Sequence, residues 1–156
     1  MTADLPAEEV IERTWSAPIE AVWTLWTTPA GIEAWYGPEG FTATVEAHNF
    51  VQGGTFNWRM TATSPQMVAW MQSKGRPLSW PNPGTFTEIV HHKRIVFQTE
   101  VPGESPSMMV HTVTLTPTDA GVHMRLAIRA VSADMLRGAT MGWRSSMDRL
   151  DKALQG

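Results

Sequence analysis

Two neighbouring stretches with different hydrophobic periods constrain this chain more than any other feature. In the first, Val122, Met124, Leu126 and Ile128 alternate with His123, Arg125, Ala127 and Arg129. A period of two puts alternate side chains on opposite faces, so this is a strand with one apolar face. In the second, Trp143, Met147, Leu150 and Leu154 recur at i, i+4, i+7 and i+11, an apolar stripe along an α-helix. Ser132 can cap that helix, Asp134 suits its first turn, and Asp148 with Lys152 adds an i, i+4 ion pair on another side. The helix spans about five turns or more. Neither stretch can leave its apolar side in water, and only a short turn separates them. The strand must therefore belong to a sheet that the helix covers.

The upstream chain supplies the rest of that sheet. Val10 to Trp15 mixes β-branched and aromatic residues and predicts a first strand. Ile19, Val22, Trp23 and Trp26 then fall on one helical face after Pro18. Thr28 and Pro29 cap and open a second short helix carrying Ile32 and Trp35, which Gly37-Pro38 stops. Strand-like segments follow: Phe41 to His48; Phe56, Trp58 and Met60 in alternation; Thr85 to Val90; Arg94 to Val101; and Met109 to Thr116. Short polar turns join the later ones, which predicts an antiparallel meander. The expected architecture is α+β: a curved antiparallel sheet of about six or seven strands wrapped around a long C-terminal helix, with two short helices after the first strand. A single domain over residues 1–156 accounts for this order, and 42% apolar residues suffice for its core.

Composition removes several function classes. Net charge is -3, so there is no basic excess to hold nucleic acid. The absence of cysteine removes thiol nucleophiles, disulfides and cysteine zinc sites, and fits a reducing compartment; a cytoplasmic location is expected. The N-terminal residues lack the basic and apolar regions of a signal peptide, and no apolar run is long enough for a membrane span. No cofactor motif is present. Eight Trp and ten Met stand against one Tyr and five Phe. Such a set builds either a Trp-rich core or a wide adaptable cavity.

The order of motifs resembles the START-like (SRPBCC, Bet v 1-like) superfamily, in the branch named after the activator of the heat-shock protein 90 ATPase. Arg13-Thr14 and Ala17-Pro18 match its opening strand and helix start. Trp35-Tyr36-Gly37-Pro38-Glu39-Gly40-Phe41 is close to the branch's Trp-Trp-Gly-Pro-x-Gly-Phe. Gly84-x-Phe86-x-Glu88-Ile89-Val90 with Arg94-Ile95-Val96-Phe97 matches the central hairpin, and Gly142-Trp143 with Leu150 the closing helix. The resemblance implies the helix-grip fold and an internal cavity. The branch's name comes from a co-chaperone domain that accompanies a separate N-terminal domain; this chain has no room for one, so chaperone activation is not expected. One departure is the connection from Met60 to Gly84, where the branch usually has a short hairpin. Met67, Val68 and Met71 fit a helical turn there, and Pro77, Pro81 and Pro83 stiffen the return. It reads as a cavity lid or as plain surface packing.

The leading expectation is non-catalytic binding of a small, largely apolar molecule. Trp35, Trp58, Met60, Phe86, Met109, His111, Met141 and Trp143 would line the cavity, with Trp70 and Trp80 over its mouth. Alternation puts His111 on the inner face with Val113 and Leu115, and Glu88 on the face of Phe86. His111 is then either a satisfied core histidine or, paired with Glu88, the acid/base centre of a small cyclase- or hydrolase-like enzyme. A co-chaperone-like protein-interaction module is the third reading, and a homodimer is left open. His91 and His92 are adjacent, so their side chains should point apart and make a poor metal pair. Arg59 should be solvated. No metal site is expected.

Overall fold

The computed structural model describes residues 5–100 and 108–155; the expected strand end at Val101 lies outside them. The chain opens with β1 (Ala7–Trp15), then α1 (Ile19–Thr27) and α2 (Pro29–Trp35). Thr28 caps α2 as expected: the Gly31 N–H donates to its hydroxyl at 3.0 Å, and Pro29 occupies the first turn, where no N–H is missed. Next come β2 (Phe41–His48), β3 (Thr55–Ala62), α3 (Pro65–Ser73) and the two-residue β4 (Ser79–Trp80). β5 (Pro83–Val90), β6 (Arg94–Glu100), β7 (Met108–Thr118), β8 (Gly121–Ala130) and α4 (Ala133–Gln155) complete it.

Seven strands form one antiparallel sheet in the order β1-β8-β7-β6-β5-β3-β2, with β4 attached to β3. The join between β3 and β5 is short. Only Thr55, Phe56 and Asn57 pair with β5, while Met60 and Thr61 pair with β4 instead. The two strands diverge, and the α3–β4 segment lies along the side of β3 that β5 leaves. The long Met60–Gly84 connection is therefore an ordered helix plus a strand pair.

The sheet curls around α4, which at 23 residues is about 35 Å long. Leu136, Thr140, Trp143, Ser146, Met147 and Leu150 form its buried stripe. Against it stand Ile11, Phe97, Val113, Leu126 and Ile128 from the sheet, and Trp26 and Trp35 from the short helices, all buried. Burying each large apolar side chain contributes roughly 1.5–3 kcal/mol, which makes this the main stabilising layer. Polar contacts fix the helix lengthwise. The Trp15 indole N–H donates to Asp151 at 2.7 Å, and Arg13 pairs with Asp148 at 3.1 Å and with Asp151 at 3.4 Å.

Candidate functional site

The interior behind α4 is occupied by rings. Phe56 stacks on Trp58 at 4.1 Å, Trp26 lies 4.6 Å from Trp35, and Phe97 stacks on His111 at 4.5 Å and 9°. Trp143 touches Trp35, Tyr36, Phe97 and His111. Of the expected cavity lining, Trp35, Trp58, Phe86, Met109 and His111 are all buried in this layer. The Trp26 indole N–H finds no acceptor among the described residues.

His111 is 3% exposed, on the inner face that alternation assigned to it. Its Nδ1 donates to the Phe97 carbonyl at 3.4 Å. Burial pushes its pKa down to about 4, because no countercharge stabilises the imidazolium. It is neutral at pH 7 and satisfied on one side, as a core histidine is.

Glu88 corrects the sequence expectation. A bulge between Phe86 and Glu88 pairs Phe86 with inward Phe97 but Glu88 with Val96. The extra residue reverses the alternation, so Glu88 leaves the face of Phe86 and pairs with Arg94 at 3.3 Å on the outside. The His111–Glu88 pair therefore does not form. The His91–His92 expectation is corrected too. His92 sits at φ 62, which turns its ring onto His91 at 3.8 Å, and both pack edge-on against Trp23. Arg59 is half-buried, bound to Glu46 at 3.0 Å and to the Ser79 hydroxyl at 3.1 Å.

Open space lies one layer out, between α3 and the N-terminal half of α4. A groove of about 800 Å³ is walled by Met67, Trp70 and Met71 of α3, by Phe41 and Trp80, and by Gly138, Met141 and Gly142 of α4. Trp70 is 43% and Met141 71% exposed. Pro38, Gly138 and Gly142 also border a smaller recess of about 150 Å³, where the groove reaches Tyr36, Met60 and Trp143. Of the expected lining residues, Trp70, Trp80 and Met141 thus meet at the groove and Met60 and Trp143 at the recess; the other five do not reach either.

Local sequence explains how the groove's walls are tied together. Ser64 caps α3 by accepting from the Met67 N–H at 3.2 Å, and the Thr63 and Ser64 N–H groups donate to the Gly40 carbonyl. The Tyr36–Phe41 loop is held to α4 by three side chains. Ser146 accepts from the Gly37 N–H at 3.1 Å and Ser145 from the Glu39 N–H at 2.8 Å. Arg149 donates to the carbonyls of Tyr36, Gly37 and Phe41 at 3.4, 2.8 and 3.0 Å. Gly37 and Gly40 supply the positive φ values, 103 and 94, that this loop needs, and a side chain at Gly40 would run into Met67. Burial raises the Tyr36 pKa to about 12, and Asn82 donates to its hydroxyl at 2.6 Å.

Gly138 and Gly142 were not expected at the site, and Met67 and Met71 only as part of a segment read as a lid or as surface packing. One signal was available: two glycines four residues apart inside a helix cost about 1 kcal/mol each relative to alanine, which calls for a reason. An added Cβ at either would meet nothing within 4 Å; both open onto free space.

A curled antiparallel sheet gripping a long C-terminal helix, with two short helices after the first strand, defines the helix-grip class. Within it, the chain belongs to the Activator of Hsp90 ATPase homolog 1-like family, whose pattern matches residues 16–155, in the START-like superfamily. A crystal structure of a Chromobacterium violaceum protein is similar at TM-score 0.80 and 23% identity, covering 97% of this chain and 99% of that one. A solution structure from Arthrobacter aurescens has TM-score 0.78 at 23% identity, with 95% and 86% covered. The AHSA1 protein from Silicibacter pomeroyi has TM-score 0.75 at 18% identity, with 96% and 98% covered. No match was found among curated proteins. Among the described residues, no helix is long and apolar enough to cross a membrane.

Proposed function

We propose that this protein binds a small, largely apolar molecule, with the α3–α4 groove and its recess as the site. One observation carries the reading: Trp70, Trp80, Met71 and Met141 converge on a groove of about 800 Å³ that the folded chain leaves unfilled. That size falls within the roughly 300–1,000 Å³ of small-molecule sites, and Met with Trp makes an adaptable apolar wall. The fold class commonly holds hydrophobic ligands between sheet and helix. Here that space is taken by Trp143 and its neighbours, which moves the proposed site outward to the mouth. Acid/base catalysis by His111 with Glu88 has no support, since the two lie on opposite faces of the sheet.

The test is native mass spectrometry of freshly purified protein, followed by tryptophan-fluorescence titration with apolar small molecules. A co-purifying small molecule, or saturable quenching that Gly142→Leu removes, is the expected result. Ligand-free protein whose fluorescence answers no apolar compound sinks the reading. Binding only of peptides would instead favour the interaction-module reading.

A further inference from the structure

The groove has a chemically distinct rim. Its charged lining residues are Glu39 and Arg76. Glu39 already acts on Arg149, whose cation it stabilises. Arg76 forms no ion pair with any described residue, and its guanidinium lies over the Trp70 ring, 5.2 Å from the centroid. Its position is built by the backbone. Gly75, at φ 66, ends α3 in a left-handed turn; the Gly75 N–H donates to the Gln72 carbonyl at 3.1 Å and the Arg76 N–H to that of Met71 at 2.9 Å. This paired closure is the Schellman arrangement, and Pro77 directly after it restricts the chain further. The backbone that carries the cation is therefore fixed beside the apolar trough, with the guanidinium on Trp70.

We infer that the groove selects a free, monomeric carboxylate with an unbranched or aromatic apolar body, its carboxylate on Arg76 and its body along Trp70, Met71, Trp80 and Met141 toward Gly138 and Gly142. The inference rests on the proposed binding site and adds the ligand's charge and direction. A guanidinium offers a fork of N–H donors that matches a carboxylate, and stacking on an indole leaves those edges free. An apolar trough alone would disfavour a carboxylate, which loses hydration there, relative to the alcohol of equal length. A preference for the acid can come only from a fixed cation, and Arg76 is the one uncommitted cation of the groove lining.

The experiment compares decanoate, decanol and decyltrimethylammonium, each below its micelle concentration, by tryptophan fluorescence and by amide NMR shifts over residues 65–80 and 138–142. Decanoate should bind about five-fold more tightly than decanol and far more tightly than the cation, with the gap shrinking in high salt. Arg76→Gln should reverse the order of decanoate and decanol while leaving decanol binding within about two-fold; Arg76→Lys should retain part of the preference. Because Arg76 is exposed, circular dichroism of these variants should match the parent. Gly142→Leu should weaken decanoate and decanol alike. Equal binding of decanoate and decanol, or a decanoate preference that survives Arg76→Gln, overturns the carboxylate inference and leaves the groove reading standing. Failure of all three probes overturns both. Arg76-dependent binding to phosphatidylglycerol vesicles, without binding of monomeric decanoate, would replace the free ligand with a membrane surface and also overturn the inference.

Discussion

The two halves of α4 do opposite things. From Trp143 to Leu150 the helix is packed and tied: Trp143, Met147 and Leu150 are buried, and Ser145, Ser146 and Arg149 hold the Tyr36–Phe41 loop. From Gly138 to Gly142 it borders open space, with Met141 exposed between two glycines. One continuous helix thus anchors the loop through its C-terminal half and borders the apolar groove with its N-terminal half. A binding site in a small domain needs surface that folding does not consume, and here small side chains on a well-anchored helix provide it.

Substitutions should split along the same line. The largest effect is expected at Trp143→Ala, which removes a ring in contact with five other aromatic residues and should cost about 3–5 kcal/mol in urea denaturation. A loss under 1 kcal/mol would mean that the interior is looser than the ring contacts imply. Next is pH. The His111 pKa falls from 6.5 in the unfolded chain to about 4 in the folded one, so the unfolded state binds the extra proton first. The stability this confers is complete above about 6.5 and is lost as pH drops toward about 4, by about 3 kcal/mol at most. Denaturation midpoints between pH 7.5 and 4.5 should show this slope, and His111→Phe, which retains a stacking ring, should flatten it. Arg149→Met should cost about 2 kcal/mol by stranding the Tyr36, Gly37 and Phe41 carbonyls, and should broaden loop amide signals in NMR. At the open end the sign reverses. Gly142→Ala should stabilise by about 0.5–1 kcal/mol, visible as a higher Tm, because alanine favours the helix and its Cβ meets nothing. A loss of stability there would erase the contrast between the halves.

Much of the fold was legible because it follows from period. The alternation over Val122–Ile128 and the stripe Trp143–Leu150 appear as β8 and the buried face of α4. Thr28-Pro29 and the Met67–Met71 spacing likewise became α2 and α3. The site was less legible. Counting alternate residues placed His111 correctly but misplaced Glu88, because one bulge residue after Phe86 shifts the register and leaves no sequence mark. Adjacent histidines were expected to diverge, but the left-handed backbone at His92 brings their rings together.

The sequence by itself determined which faces are apolar, where the period changes, and hence that a sheet must wrap the last helix. Those are properties of single elements, set by side-chain order along the chain. Only the tertiary structure decided whether the eight tryptophans enclose a space or fill one. That depends on how far apart curved layers stand and on which ring enters which gap, quantities shared between elements distant in sequence. Trp143 meeting Phe97 and His111 fills the interior, and the divergence of β3 from β5 moves the free space out to the α3–α4 groove.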